Sequence, residues 1–316
     1  VHVGTTTTIE SQNTNNVIGW KDFSVKNGES VVFDGGAKTN NYLNIVTGNV
    51  TSHIDGAMKG GNNVYIVNPN GVIFGKSAEV NVGNLYVSTQ DTGALNQAAF
   101  EANGSSPLDA AAALRADVVN MGKMTADTVE VHGKHIRFLN AADVTAANRV
   151  LYTDTAANDG YAHIGYKNGS TPAEADYQIN GANAAAADNY YQLVATKAEL
   201  DAINTTDLTG NYMLENDIDF ANAAHIPIGG NTYAAFTGKF DGNFFQLQNF
   251  TITGGVYTAP FGKVSNSRIE NVGVTGATVT GDKTGNQDRW AGGLIGYADG
   301  TKIKNAYIKS STVDGE

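Results

Sequence analysis

Residues 52–89 constrain the fold more than any other stretch, because they alternate short β-branched runs with turn residues roughly every eight to ten positions. Each run is too short for a helix, and Asn, Gly or Pro stands at nearly every break. The runs are 64–67, 72–74, 80–82 and 85–87. Strands this short cannot each bury an apolar face alone, but they can if the chain winds into a solenoid whose successive coils stack, so the pattern predicts a solenoid.

The composition favours many turns and short strands over long helices. The 316 residues include 37 Gly but only 5 Pro, and charged residues make up 16% of the chain. The chain has no cysteine, so it cannot form a disulfide. A net charge of -11 without a basic cluster disfavours nucleic acid and anionic membranes as partners.

One block within these runs resembles a known family. Asn68, Pro69, Asn70 and Gly71 lie between two β-branched runs, after the segments 17–25, 29–33 and 52–56 and before the segment 80–85. As a set, these segments resemble the secretion domain of two-partner-secretion exoproteins, the filamentous haemagglutinin-like adhesins. Pro fixes φ, Asn caps the backbone and Gly accepts positive φ, so the four residues also suit a purely structural turn.

The resemblance implies an all-β fold, a right-handed parallel β-helix. It also implies a partner, an outer-membrane β-barrel transporter that receives the chain while it is unfolded. The Ala-rich residues 91–117 predict a partly helical insertion that projects from the coils, with a helix start near Pro107 and Asp109. We expect coils to add one at a time outside the cell, with residues 68–71 acting in export.

The second half carries a repeat with an offset of 34, which pairs Ile269 with Ile303 and Val274 with Ile308. The alignment predicts a coil of about 22 residues with residues 281–291 as an extruded loop. A weaker copy at residues 247–252 places Leu247 in line with Ile269, and Asn249 in line with Asn271 and Asn305. We therefore predict that these three asparagines form a polar ladder between coils.

Residues 292–296, GGLIG, and the preceding segments from residue 191 resemble the GLUG-type repeats of bacterial surface proteins. The predicted domains are thus a secretion domain at 1–155, a junction at 156–190, and a GLUG-repeat β-helix segment at 191–316. Residues 197–203 predict a short helix within that segment. The chain is expected to be a fragment of a longer protein whose signal peptide has been removed.

The search for chemical sites yields few candidates. His132 and His135 point to opposite faces of a strand, so no metal site and no cofactor are expected. Parallel β-helices include polysaccharide-active enzymes, which cluster carboxylates with Arg or Lys, but none of the five arginines falls in register with an acidic pair. Phe261, Trp290 and Tyr297 flank the extruded loop and are candidates to face a glycan or host protein, or to pack.

Together the two resemblances imply a secreted, cell-surface adhesin fragment from a Gram-negative bacterium. It is expected to be a monomer without enzymatic activity. Membrane insertion is not expected, because no apolar run reaches the length of a membrane span. The surface ligand is not identified by the sequence. The alternatives are a β-helical polysaccharide-active enzyme and a specific glycan- or host-protein-binding module.

Overall fold

The structure, a computed structural model, describes residues 2–33, 39–155, 158–282 and 289–315. It divides into two compact units, Val1–Tyr190 and Tyr191–Glu316. Both are parallel β-helices, because nearly every described strand pairs in parallel with a strand one coil away. The described helices contain no candidate membrane span, since even the helix Lys197–Thr206, with 10 residues, falls short of the 18 that such a span needs.

The described part of the first unit contains twenty strands and two α-helices. Its strands are β1 (His2–Val3), β2 (Thr6–Ile9), β3 (Asn15–Trp20), β4 (Ser30–Phe33), β5 (Asn41–Val46), β6 (Ser52–Ile54), β7 (Ala57–Gly60), β8 (Asn63–Val67), β9 (Val72–Phe74), β10 (Glu79–Asn81), β11 (Asn84–Ser88), β12 (Val118–Asn120), β13 (Lys123–Thr125), β14 (Thr128–His132), β15 (His135–Phe138), β16 (Val144–Thr145), β17 (Asn148–Tyr152), β18 (Tyr161–Tyr166), β19 (Gln178–Ile179) and β20 (Ala182–Asn183). Its helices are α1 (Gln97–Asn103) and α2 (Ala186–Asn189).

These strands form three faces of the coil. The faces are β1-β2-β4-β7-β10-β13-β16, then β3-β5-β8-β11-β14-β17-β19-β20, and β6-β9-β12-β15-β18. Among the described strands of this unit, only β1 with β2 and β19 with β20 pair antiparallel. Alternate side chains point inward, so Val64, Ile66, Leu85 and Val87 meet in one apolar core.

Successive coils of the first unit differ in length. Val64 pairs with Leu85, and Leu85 pairs in turn with Val129. The second pair is much further apart in the sequence, because residues 91–117 lie between its two members. The predicted helix start at Pro107 and Asp109 is wrong: α1 begins after Asn96, whose side-chain oxygen accepts a hydrogen bond from the Ala99 N–H at 3.3 Å. The predicted projection is also wrong, because α1 lies against β3.

The segment predicted as a junction packs into the first unit where it is described. Strand β18 pairs with β15, and Tyr177, Ala184 and Tyr190 belong to the same core as the earlier coils. Residues 156–157 lie outside the described residues.

The described part of the second unit contains sixteen strands and one α-helix. Its strands are β21 (Tyr190–Val194), β22 (Asn211–Leu214), β23 (Ile218–Asp219), β24 (Lys239–Asp241), β25 (Gln246–Gln248), β26 (Thr251–Thr253), β27 (Tyr257–Thr258), β28 (Phe261–Ser265), β29 (Arg268–Glu270), β30 (Gly273–Thr275), β31 (Thr278–Thr280), β32 (Trp290–Ala291), β33 (Ile295–Asp299), β34 (Lys302–Lys304), β35 (Tyr307–Lys309) and β36 (Thr312–Asp314). Its helix α3 (Lys197–Thr206) covers the predicted helix at 197–203, with Thr196 as N-cap and Glu199 completing a capping box.

Pairing in the second unit confirms the offset of 34. Ile269 pairs with Ile303, Val274 with Ile308, and Val279 with Val313. The predicted coil length is wrong for the earlier copy, because Leu247 pairs with Val274 and not with Ile269. Within the predicted extruded loop, residues 283–288 lie outside the described residues.

Candidate functional site: the Asn68–Gly71 turn and its surroundings

The four residues of the motif form a tight turn between β8 and β9. The Gly71 N–H donates to the Asn68 carbonyl at 3.0 Å, and the Asn68 side-chain oxygen accepts from the Asn70 N–H at 2.9 Å. Gly71 has a φ of +102°, a conformation that only glycine adopts without strain. The local sequence therefore determines the turn.

The Asn68 side chain is fully buried and joins this turn to the preceding coil. Its amide nitrogen donates to the Val50 carbonyl at 2.9 Å and to the Ser52 hydroxyl at 3.0 Å. Its backbone N–H donates to the Ser88 carbonyl of the following coil at 2.9 Å. Asn68 thus contacts no solvent in the folded state, and its geometry there is that of a structural residue.

Pro69 and Asn70 form the outer side of the turn. Asn70 is exposed and Pro69 half-buried. The Asn70 side chain donates to the Gly48 carbonyl at 2.9 Å, and its own carbonyl accepts from the Thr51 hydroxyl at 2.8 Å. A protein partner can reach these two residues in the folded chain, whereas it cannot reach Asn68.

A surface cavity of about 510 Å³ adjoins the turn. Besides the turn it is lined by Asn49 and by Asp91 and Arg115, whose side chains form an ion pair. The N–H of Gly93 and the Arg115 guanidinium hold the pKa of the Asp91 carboxyl below its usual range. The two members of the pair are far apart in the sequence, and no local pattern indicates that they meet.

The first unit also contains an amide ladder that the sequence patterns above did not predict. Asn41 donates to the Asn15 side-chain oxygen at 2.7 Å, Asn63 to that of Asn41 at 3.0 Å, and Asn84 to that of Asn63 at 2.9 Å. Asn41, Asn63 and Asn84 each occupy the first position of a strand. Their nearly equal spacing in the sequence is the signal that could have revealed the ladder.

The predicted ladder in the second unit is correct for two of its three members. The Asn305 amide nitrogen donates to the Asn271 side-chain oxygen at 3.0 Å, and Asn271 donates to the Asp241 carboxylate at 2.9 Å. Asn249 does not join them; its amide donates to Asp219 at 3.1 Å at another corner. The reason is the register of β25, which pairs with β30 rather than with β29.

The three candidate ligand-facing aromatics occupy different environments. Phe261 is fully buried in the core of the second unit, so its assignment as ligand-facing is wrong. The half-buried Trp290 stacks on Tyr257 with ring centroids 5.2 Å apart, and Tyr297, 37% exposed, meets the Trp290 ring nearly at right angles. The Lys263 ammonium lies 5.7 Å from the centroids of Tyr257 and Tyr297. These contacts are those of packing between coils.

The two neighbouring histidines have separate carboxylate partners. His132 Nε2 lies 2.7 Å from Glu130 Oε1, and His135 Nδ1 lies 2.7 Å from Asp117 Oδ1. Burial alone would raise the pKa of Asp117, but hydrogen bonds and charge from His135 and Arg137 outweigh burial and hold it below its usual range. The pair His135–Asp117 joins the end of residues 91–117 to β15.

Nearly the whole chain matches one known family. The sequence profile described as the TPS secretion domain matches residues 1–314. A heme/hemopexin-binding protein of Haemophilus influenzae is 29% identical over 153 residues, 46% of this chain and 16% of that protein. A second heme/hemopexin-binding protein of Haemophilus influenzae is 36% identical over 74 residues, 23% of this chain and 8% of that protein.

Among solved structures, the HMW1 secretion domain from Haemophilus influenzae aligns over 96% of this chain and 80% of that chain. The sequence identity is 18% and the TM-score 0.37. The chain matches at most 16% of the length of the two curated relatives.

Proposed function

Because the chain belongs to the TPS secretion domain family, whose exoproteins are secreted through the outer membrane, we propose that it is the export module of a surface adhesin. The family implies a partner transporter in the outer membrane. In the proposal that partner is a β-barrel, and within the motif of residues 68–71 it contacts Pro69 and Asn70. The single observation that carries the proposal is the profile match over residues 1–314.

The proposal assigns different roles to the residues of the motif. Asn68 acts in the folded coil, since its side chain is buried and its amide joins two coils. Asn70, with Pro69, forms the outer side of a turn whose own hydrogen bonds lie within residues 68–71, so the transporter can contact this turn before the coils stack.

The adhesin role rests on architecture. Within each unit, stacked coils can present surface residues at regular intervals. The similarity to the heme/hemopexin-binding protein covers 16% of that protein, so we assign the shared segment to export rather than to ligand binding. The likeness of residues 191–316 to GLUG-type repeats remains a prediction, as do the monomeric state and the absence of catalysis.

Export can be tested with variants that leave the fold intact. The paired substitution Pro69→Ala and Asn70→Ala should reduce secretion several-fold in cells that carry the partner transporter. Asn81→Ala changes an exposed asparagine on a different face and is the matched control. Secreted and cell-retained protein are measured by quantitative immunoblot, and the circular dichroism of purified, refolded protein checks the coil. Secretion of the double variant at the wild-type level would contradict the role of the exposed face.

Asn68→Ala separates the structural role from the export role. We expect it to lower the thermal stability of the refolded protein, because the Val50 carbonyl and Ser52 hydroxyl lose their donor. If Asn68→Ala lowers secretion while the refolded protein keeps wild-type stability, then Asn68 itself is read during export and our division of roles is wrong.

A further inference from the structure

Residues 91–117, which we name the clasp, lie on the outside of the first unit rather than projecting from it. Phe100 of helix α1 is fully buried, among Leu43 and Ile45 of β5 and Tyr65 and Val67 of β8. Its ring meets that of Tyr65 edge-on, with centroids 5.5 Å apart. The clasp therefore creates a second apolar core, separate from the one inside the coil.

The residues beneath the clasp point outward from the coil. In β5 and β8 they alternate with inward side chains such as Val46, Val64 and Ile66. Leu43, Ile45, Tyr65 and Val67 are each at most 8% exposed in the closed structure. Without the clasp, two adjacent coils would present these four large side chains to water, an apolar patch of the kind that soluble proteins cover.

Hydrogen bonds hold the clasp to the coils at its helix and at its end. At the helix, the Asn15 side chain donates to the Glu101 carbonyl at 3.3 Å. At the end, the Arg115 N–H donates to the Thr89 carbonyl at 3.2 Å, and the Ala116 carbonyl accepts from the Lys134 N–H at 2.9 Å. The clasp thus joins β3 to the coil that ends at Thr89, before the clasp, and to the coil that contains Lys134, after it.

The burial of Tyr65 has an electrostatic signature. Desolvation raises the pKa of its hydroxyl above the ordinary value, and the charge of neighbouring Tyr86 acts in the same direction. Tyr65 and Tyr86 stack with centroids 4.3 Å apart. The Tyr65 side chain under the clasp is thus shielded from water.

We propose that closure of the clasp is the step that commits the first coils to their fold. Phe100 follows both β5 and β8 in the sequence, so these strands cannot be covered on both faces until the chain through the clasp is free to fold. The first folding unit is then the coils of β3, β5 and β8 together with the clasp, and only later coils add singly. The inference rests on the proposed function only in assuming that this folding follows export, and the refolding test below does not depend on that function.

The test is refolding of the full chain by dilution from denaturant, without a transporter. Pulsed hydrogen exchange follows the protection of amides in β5 and β8. Phe100→Ala should slow the appearance of that protection at least about 10-fold, as expected when a large buried side chain is truncated inside a folding nucleus. Ile252→Ala truncates a core residue of the second unit and should leave the β5 and β8 rate unchanged.

Two outcomes overturn the proposal. One is that β5 and β8 become protected at the wild-type rate in Phe100→Ala while only their opening accelerates, which would mean that the clasp docks after the nucleus has formed. The other is that Ile252→Ala slows β5 and β8 equally. If Phe100→Ala does not fold, Phe100→Leu, which keeps an apolar side chain, decides between the same outcomes at a smaller effect.

Export data separate this proposal from the proposed function. If Phe100→Ala refolds at the wild-type rate and is secreted at the wild-type level, the proposal for the clasp is contradicted but the proposed export function is not. The opposite result is that Phe100→Ala refolds slowly while the Pro69→Ala and Asn70→Ala double variant is secreted normally. It would contradict the transporter contact at Pro69 and Asn70 but not the proposal for the clasp.

Discussion

The two units turn their corners with different residues. Among the described residues, positive φ in the first unit falls mainly on glycines such as Gly28, Gly60 and Gly71, and Asn180 is its one asparagine with positive φ. In the second unit, asparagines also take this conformation. They are Asn222, Asn231, Asn243, Asn249, Asn266, Asn271 and Asn305. Asparagine tolerates the left-handed region better than other side chains, yet retains an amide.

This difference separates two roles in the first unit and combines them in the second. In the first unit, glycines make the turns while the amide ladder of Asn15, Asn41, Asn63 and Asn84 lies outside the positive-φ positions. In the second unit, Asn271 and Asn305 make the turn and also form the ladder. Repeated asparagines in a solenoid can therefore either form a ladder only, or form a ladder and also make a turn at positive φ. Substitution by glycine distinguishes the two cases, because glycine is favoured only at positive φ.

The largest effect is expected at Asn271. Asn271→Ala removes the donor to the buried Asp241 carboxylate and places alanine at a φ of 54°, for a loss of about 3–4 kcal/mol. Asn271→Gly loses the hydrogen bonds but relieves the backbone, so it should be about 1 kcal/mol less harmful. Native-state hydrogen exchange of β24 and β29 amides measures both variants, and equal losses would show that φ contributes nothing there.

The opposite order is expected in the first unit. Asn41→Ala should cost about 1–2 kcal/mol, because Asn15 loses a donor and Asn63 an acceptor. Asn41→Gly should be worse than Asn41→Ala by roughly 0.5–1 kcal/mol, since glycine in a strand loses more conformational entropy. The readout is exchange of β5 and β8 amides. A glycine variant more stable than the alanine variant would erase the contrast between the units.

A smaller effect is expected from acid at helix α3 in the second unit. Burial works to raise the pKa of Asp201, but hydrogen bonds from His225 and Lys197 outweigh it and hold the pKa below the usual range. Because the folded-state pKa is lowered, this stabilisation is full above the unfolded-state pKa and is lost as the pH falls through the folded-state value.

Asp201→Asn should therefore flatten the acid side of the stability profile for amides of α3 and β22. The profile is measured by exchange at several pH values in parallel with wild type. In the first unit, amides of β5 and β8 serve as the internal control and should show the same profile in both proteins. An unchanged slope in the second unit would show that the ion pair does not couple to its stability.

Several features can be predicted from sequence because they depend on neighbours in the chain. The turn at residues 68–71 follows from Pro, Asn and Gly, and helix α3 follows from its capping box at Thr196 and Glu199. The offset of 34 follows from side chains that repeat at equal intervals, and Ile269 does pair with Ile303. Each of these features depends on residues within one coil, or on two coils of equal length, so its residue pattern can be recognised in the sequence.

The errors arise where the outcome depends on contacts between coils rather than on neighbours in the chain. The weaker repeat aligns Asn249 with Asn271, but a longer corner moves Asn249 to a different edge of the coil. The helical part of the clasp is predicted near Pro107 and lies at residues 97–103, where Phe100 reaches an apolar face. Phe261 stands near a loop in the sequence but is buried in the core of its unit.

The spacing of short alternating strands and turn residues was enough to predict a solenoid, and the resemblance of residues 17–85 to a known family implied that its coils are parallel. The folded structure was needed to show which asparagines meet, that Asp91 pairs with Arg115, and that the clasp covers β5 and β8. The physical reason is that alternation and turn propensity act over a few residues. Contacts between coils depend instead on the summed length of every corner between them, and no local preference encodes that sum.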